Sequence, residues 1–222
     1  NGNHEIKNET FDKYLELYGY KFNCKLNEIG GYALIKDSKS QIIMDVGRPP
    51  EKKFSQNYQS GTLSFEFSYL NNKIITNSGY FQKEKHQLNS MSRSSVAHST
   101  LVVDDTSIVK FNNTIYGEKC VKKYYNIIRK KVIKDTDKWI LQAAHDSYKK
   151  KYNIIHERQI EFFSKKLLLR GKDILEKKTK NLSYNFEIRF HLHPKIKATK
   201  TIDNKSILLE LEDSGWKFIS EN

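Results

Sequence analysis

Imidazoles titrate, bind metals and move protons near neutral pH, so the seven histidines of this 222-residue chain are the first place to look for chemistry. His98 lies in Arg93-Ser94-Ser95-Val96-Ala97-His98-Ser99-Thr100, just ahead of the strand-like run Leu101-Val102-Val103-Asp104. A histidine beside Arg, Ser and Thr at a strand start could bind an anion or protonate a leaving oxygen. The simpler reading is a loop histidine bonded to backbone. His145, in Ala144-His145-Asp146-Ser147, and His156, in Ile155-His156-Glu157-Arg158, are candidate ligands or acid/base groups. For these two, exposed polar residues at strand ends are the plainer expectation. His191 and His193 share one face of a strand-like run. Such a pair can hold zinc only with further ligands, and none lies nearby in sequence, so two wet-face histidines are expected. His4 and His86 carry no pattern.

Other signals of catalysis are missing. There is no Gly-rich phosphate loop, nucleophile elbow, His-Glu-x-x-His or paired-cysteine zinc motif. Cys24 and Cys120 lie far apart without metal spacing, and two buried thiols are the preferred reading, with a disulfide as the alternative in an oxidising compartment. The formal charge of +13 favours polyanionic partners such as acidic polysaccharide, anionic lipid or nucleic acid. Lys far outnumbers Arg, however, so composition alone accounts for much of it. No nucleic-acid-binding motif accompanies the charge, which argues against that partner. No apolar run approaches the ~20 residues of a membrane span. The chain opens on Asn1 rather than Met, so it is expected to be a piece of a longer protein. The lack of a signal peptide at its start therefore says nothing about secretion.

The elements that must position these residues read as strands. Leu63-Ser64-Phe65-Glu66-Phe67-Ser68-Tyr69 alternates apolar with polar, the pattern of a half-buried strand. Phe186, Ile188, Phe190 and Leu192 repeat it, placing Glu187, Arg189, His191 and His193 on a wet face. Further strand-like runs cover Tyr32–Lys36, Gln41–Asp45, Lys73–Asn77, Thr100–Asp104, Cys120–Ile133 and Trp139–His145. The rest cover Asn153–Phe163, Lys166–Gly171, Ser206–Glu212 and Trp216–Ile219. Leu70-Asn71-Asn72-Lys73 reads as a tight hairpin. Residues 1–30 form a connecting segment with one short helix near Phe11–Tyr18, and residues 31–222 form one all-β domain, an antiparallel β-sandwich.

Several longer motifs follow one another along the chain. They are Ile43-Met44-Asp45-Val46-Gly47-Arg48-Pro49-Pro50, Gly61-Thr62-Leu63-Ser64-Phe65-Glu66-Phe67-Ser68 and Ile75-Thr76-Asn77-Ser78-Gly79-Tyr80. Next come Arg93 to Asp105, then His145-Asp146-Ser147-Tyr148 with Ile155-His156-Glu157-Arg158. The last is Ile188-Arg189-Phe190-His191-Leu192-His193-Pro194. In this order the set resembles the heparinase II/III-like polysaccharide lyases, and the resemblance runs from about Gly31 to Trp216. It implies the C-terminal sandwich of a lyase whose N-terminal α-helical toroid, and the catalytic groups that toroid supplies, lie outside this chain. Further strands are expected beyond Asn222.

The same resemblance implies β-elimination on uronic-acid polysaccharide, in which a base takes the C5 proton, an acid protonates the leaving O4, and donors neutralise the uronate carboxylate. The expected catalytic residues are His98, Arg93 as a bidentate carboxylate clamp, and Tyr80. Gln59, Asn77 and His145 are the expected substrate-binding residues. The chain departs from its relatives where several carry His-x-His-x-Asp. Here Asn57, Gln59 and Gly61 stand in those places, and Asn77 stands where an acidic ligand is expected. One remaining histidine, His145, cannot hold zinc tightly, so no metal or other cofactor is expected. The partners implied are acidic polysaccharide and the toroid domain, and the compartment implied is periplasm or cell envelope. The loss of His-x-His-x-Asp leaves a second reading open, a non-catalytic carbohydrate-binding or surface-assembly module.

Overall fold

The alternation in Leu63–Tyr69 is realised as burial: Leu63, Phe65 and Phe67 are sealed in the core while Glu66 and Ser68 are half-exposed. The computed structural model describes residues 8–19, 27–83, 86–113, 119–122, 125–177, 183–212 and 214–221. In chain order its strands are β1 (Glu28–Ile29), β2 (Tyr32–Lys36), β3 (Ser40–Asp45), β4 (Phe65–Tyr69), β5 (Asn72–Thr76) and β6 (Leu101–Val103). They continue with β7 (Phe111–Asn113), β8 (Lys119–Val121), β9 (Ile127–Lys134), β10 (Lys138–His145), β11 (Ile154–Phe163) and β12 (Leu168–Lys177). The last are β13 (Phe186–Ile188), β14 (His191–Leu192), β15 (Lys197–Lys200), β16 (Ser206–Glu210) and β17 (Gly215–Ile219). Among the described residues α1 (Asn8–Leu17) precedes the strands, and the short helices α2 (Gln87–Arg93) and α3 (Lys149–Tyr152) interrupt them.

Every strand pair among the described residues is antiparallel. One sheet runs β1-β2-β3-β4-β5-β14, a second runs β12-β11-β10-β9, and a third runs β15-β16-β17. The main core lies between the first two. Ile35, Ile42, Met44, Phe65, Phe67 and Ile74 meet Trp139, Leu141, Ala143, Ile160 and Phe162, and Trp216 closes one end against Phe67. A second apolar cluster gathers Leu101, Val103, Ile108, Tyr125, Tyr148 and Ile154. This is the sandwich expected from period-two patterning. No helix among the described residues is long and apolar enough to cross a membrane.

Several elements differ from the sequence reading, each for a physical reason. The first strand of the Leu63–Tyr69 run starts at Phe65, because Leu63 takes a left-handed φ of 59° in a turn closed by Ser64 N–H donating to Gly61 O at 2.8 Å. The run Cys120–Ile133 splits into β8 and β9. The alternating run from Phe186 to His193 also splits: β13 pairs with β6, and β14 pairs with β5 in a different sheet. There the expected faces do not hold. Phe186 and Ile188 stay exposed while His191 turns inward and donates from Nε2 to Val96 O at 2.9 Å. Helix α2 escaped periodicity because it is inverted, exposing Leu88 and Met91 and burying Asn89, Ser92 and Arg93. Cys120 is a buried free thiol, and Cys24 lies outside the described residues.

Candidate functional site

The loop between β3 and β4 has little regular structure, so side chains from elsewhere must hold it. Arg93, at the C-terminal end of α2, does so. Its Nε donates to Tyr58 O at 2.9 Å and its Nη2 to Ser55 O at 3.1 Å, while Ser60 N–H donates to Arg93 O at 2.9 Å. The guanidinium lies 4.0 Å from the Phe111 ring centre, and the residue is buried. Expected as a carboxylate clamp, Arg93 is thus turned into the protein against two carbonyls. The loop it holds carries Asn57 and Gln59. Asn57 Oδ1 accepts from the Tyr80 hydroxyl at 3.2 Å, and Asn89 Nδ2 donates to the same hydroxyl at 3.2 Å. Tyr80 and Gln59 are half-buried.

His98 ends a short 3-10 turn, Ser95–Ala97, directly before β6. It is only 4% exposed, and its Nε2 is buried without a hydrogen-bond partner. Room for the ring comes from Gly61: a Cβ there would sit 3.0 Å from His98 Nδ1. Burial, with His191 close by, pushes the His98 imidazolium down to about 4. The ring is therefore neutral at pH 7 and a weak base, able to accept or donate a hydrogen bond rather than to stand as a cation.

Beside it, Ser99 N–H donates to Asn77 Oδ1 at 2.8 Å and Ser99 Oγ–H to Thr76 O at 2.7 Å. Asn77 donates from N and Nδ2 to Glu66 Oε1, both at 3.3 Å. Ser78 N–H donates to Ala97 O at 3.1 Å, which lays the Asn77–Tyr80 segment along the turn that carries His98. The structure thus brings Asn77, Tyr80 and His98 onto adjoining segments, with the loop of Asn57 and Gln59 joined through Tyr80.

His145 goes elsewhere. It and His156 are fully buried rather than exposed at strand ends. They pair across β10 and β11, with His145 Nε2 3.2 Å from His156 Nδ1, and His156 Nε2 2.6 Å from Asp173 Oδ1 on β12. Ser147 Oγ lies 2.8 Å from His145 Nδ1. One orientation satisfies the whole chain: Ser147 O–H to His145, His145 N–H to His156, and His156 N–H to Asp173, with both rings neutral. Arg158 then grips Asp173 from Nε and Nη2 at 2.8 and 2.9 Å. Its Nη1 donates to Leu63 O at 3.1 Å and Ser99 O at 2.7 Å. Burial alone would raise Asp173, but Arg158 and His156 hold its carboxyl well below the usual range. Burial pushes His156 down, with Asp173 partly offsetting it.

This network reaches the candidate site from behind, because Leu63 and Ser99 flank the Gly61–His98 contact. Sequence reasoning missed Arg158 and Asp173. The available signal was the inward register of β11, where His156 and Arg158 alternate in step with Ile154, Ile160 and Phe162.

Zinc does not fit the residues present. Asn57 is bonded to Tyr80, Asn77 to Ser99 and Glu66, and both His145 nitrogens are committed. Among the described residues no three of His, Cys, Asp and Glu gather as a metal-binding group.

Fold and site together define an antiparallel β-sandwich module with a cluster of amide, phenol and imidazole groups where its loops meet. The sequence matches the Heparinase II/III-like, C-terminal family over residues 25–222, and the chain belongs to that family of polysaccharide lyases. Among solved structures, the heparan sulfate lyase HepC from Pedobacter heparinus aligns with a TM-score of 0.63 at 15% identity, over 92% of this chain and 32% of that one. A heparinase III, the BT4657 gene product, aligns with a TM-score of 0.62 at 15% identity, over 94% of this chain and 32% of that one. At such identity the likeness establishes the fold. The chain spans about a third of the length of these structures. A comparison with curated proteins finds no match.

Proposed function

We propose that this chain is the β-sandwich part of a lyase that cleaves uronic-acid-containing polysaccharide by β-elimination, working with an α-helical toroid domain in the periplasm or cell envelope. The observation that carries the reading is the meeting of Asn77, Tyr80 and the neutral His98 on adjoining segments of a heparinase-type sandwich. In the reaction the C5 proton passes to a base, the C4–O4 bond breaks, a C4–C5 double bond forms, and O4 leaves with a proton from an acid. The Gln59 and Asn77 amides serve as donors to the uronate carboxylate. The Tyr80 hydroxyl and the buried, unpartnered His98 Nε2 are the proton-handling groups that this domain supplies. Arg93 serves by fixing the loop of Asn57 and Gln59, and His145 by bracing the floor through His156 and Asp173.

A second reading, a non-catalytic carbohydrate-binding module, draws support from the burial of Arg93, His98 and His145. The two separate on product. Full-length protein incubated with uronate polysaccharide yields ultraviolet-absorbing unsaturated ends if it is a lyase. Binding without that absorbance would leave the module reading in place.

A further inference from the structure

Away from the His98 cluster, and sharing no lining residue with it, a groove of about 300 Å³ opens where the end of β3 meets the edge strand β9. Its lining includes Arg48, Arg129, Lys130 and Glu28, with the backbone of Gly31 and Gly47 as one wall. Arg48 and Lys130 therefore share the groove with one carboxylate, Glu28, while Arg129, next to Lys130 on β9, turns its side chain to the opposite face. Lys130 reaches Glu28 at 2.5 Å, and Arg129 is held from outside the groove by Glu157 and Glu176. Arg48 is exposed and has no ion pair among the described residues.

The wall that presents Arg48 is rigid. Gly31 and Gly47 pack so closely that a Cβ on Gly31, which sits at φ +86°, would lie 2.9 Å from Gly47 Cα. Gly47 N–H donates to Asp45 Oδ1 at 3.0 Å, and the Tyr125 hydroxyl donates to Gly47 O at 3.3 Å. Pro49, directly after Arg48, is buried. An exposed Lys–Glu pair is weak and exchanges partners readily, and a guanidinium with no ion-pair partner can meet a carboxylate or sulfate bidentately.

We propose that this groove is a second saccharide-binding site, which takes a carboxylate- or sulfate-bearing sugar unit of an acidic polysaccharide between Arg48 and Lys130. The class of polymer rests on the function proposed above; the groove and its charge do not. Lys134 lies on the same face of β9 as Lys130 farther along the sheet edge, with its Nζ donating to Lys36 O at 2.6 Å. Such a site retains polymer between cleavage events without touching the reacting ring.

The test is calorimetric titration of a heparan sulfate octasaccharide into full-length protein at low salt. It compares the wild type, the double variant Arg48→Ser/Lys130→Ser, and Lys205→Ser as a surface-charge control. The double variant is expected to bind about tenfold more weakly and with shallower salt dependence, with the control unchanged. Equal affinity of double variant and wild type, or no binding by the wild type, overturns the site. Binding that weakens in the double variant while no preparation yields unsaturated product upholds the groove and removes the lyase reading instead.

Discussion

At the scale of the residue, the decisive feature is how polar groups are buried. His98 titrates near 4 in the fold, against an ordinary 6.5. The folded form therefore binds its proton less readily than the unfolded chain, and the stability it confers is present above 6.5 and lost as pH falls toward 4. The shift corresponds to on the order of 3 kcal/mol at most. Denaturant titrations from pH 7 to 4 should show this loss in the wild type and a smaller one in His98→Leu; equal slopes would contradict the buried neutral ring. Arg158 is subject to a stronger constraint, because among the described residues no other Lys or Arg is bonded to Asp173, which sits beside buried histidines. Arg158→Met should cost about 3–5 kcal/mol by leaving that carboxylate uncompensated. Urea unfolding measures it, and a loss below ~1 kcal/mol would mean the network is not a brace. The neighbours Arg, Ser and Thr singled out His98 in the sequence, but its burial was not legible there, because the space for its ring depends on the distant Gly61. Arg158 and Asp173 were not legible either, since ionic residues on both faces of β11 conceal which face is inward.

At the scale of the element, strands with alternating burial were legible to within a residue or two, as β2, β3, β10 and β11 illustrate. Alternation is itself the physical cause of their two-sided burial. What failed were segments whose burial inverts the usual rule. Helix α2 hides its polar side because that side, through Asn89 and Arg93, is what holds the Tyr80 and Asn57 loops. β13 and β14 divide one alternating run between two sheets, a choice made by long-range pairing with β6 and β5. The β4–β5 hairpin is tight as expected, but it sets Leu70 at φ 47° beside Asn71 at φ 62°. A left-handed leucine is costly where asparagine is tolerated. Leu70→Asn should therefore stabilise the protein by up to about 1 kcal/mol. A lower melting temperature in that variant would contradict the turn geometry.

At the scale of the whole molecule, the sandwich is a platform that carries uncharged polar groups at one set of loops and cations at a sheet edge. Its stability depends on two opposed titrations. Against the loss from His98 on acidification stands Asp45, a half-buried residue whose carboxyl is pushed up to about 7 by desolvation, with the Gly47 N–H bond only partly offsetting it. The fold binds that proton more tightly than the unfolded chain does, so Asp45's contribution is present below 3.8 and lost as pH rises through 7. Asp45→Asn keeps an oxygen for Gly47 and removes the titration. Its melting temperature should exceed that of the wild type at pH 8 and match it at pH 4, and the reverse order would contradict the buried carboxyl.

The central claim is that this sandwich lines a lyase active site, and one measurement meets it directly. Full-length wild type and His98→Ala are incubated with heparan sulfate while the ultraviolet absorbance of unsaturated uronate is followed. The account predicts product from the wild type and a fall in turnover of about a hundredfold or more in the variant, the usual worth of a proton-handling group. Equal turnover by the two proteins, or saccharide binding with no unsaturated product from either, would contradict it.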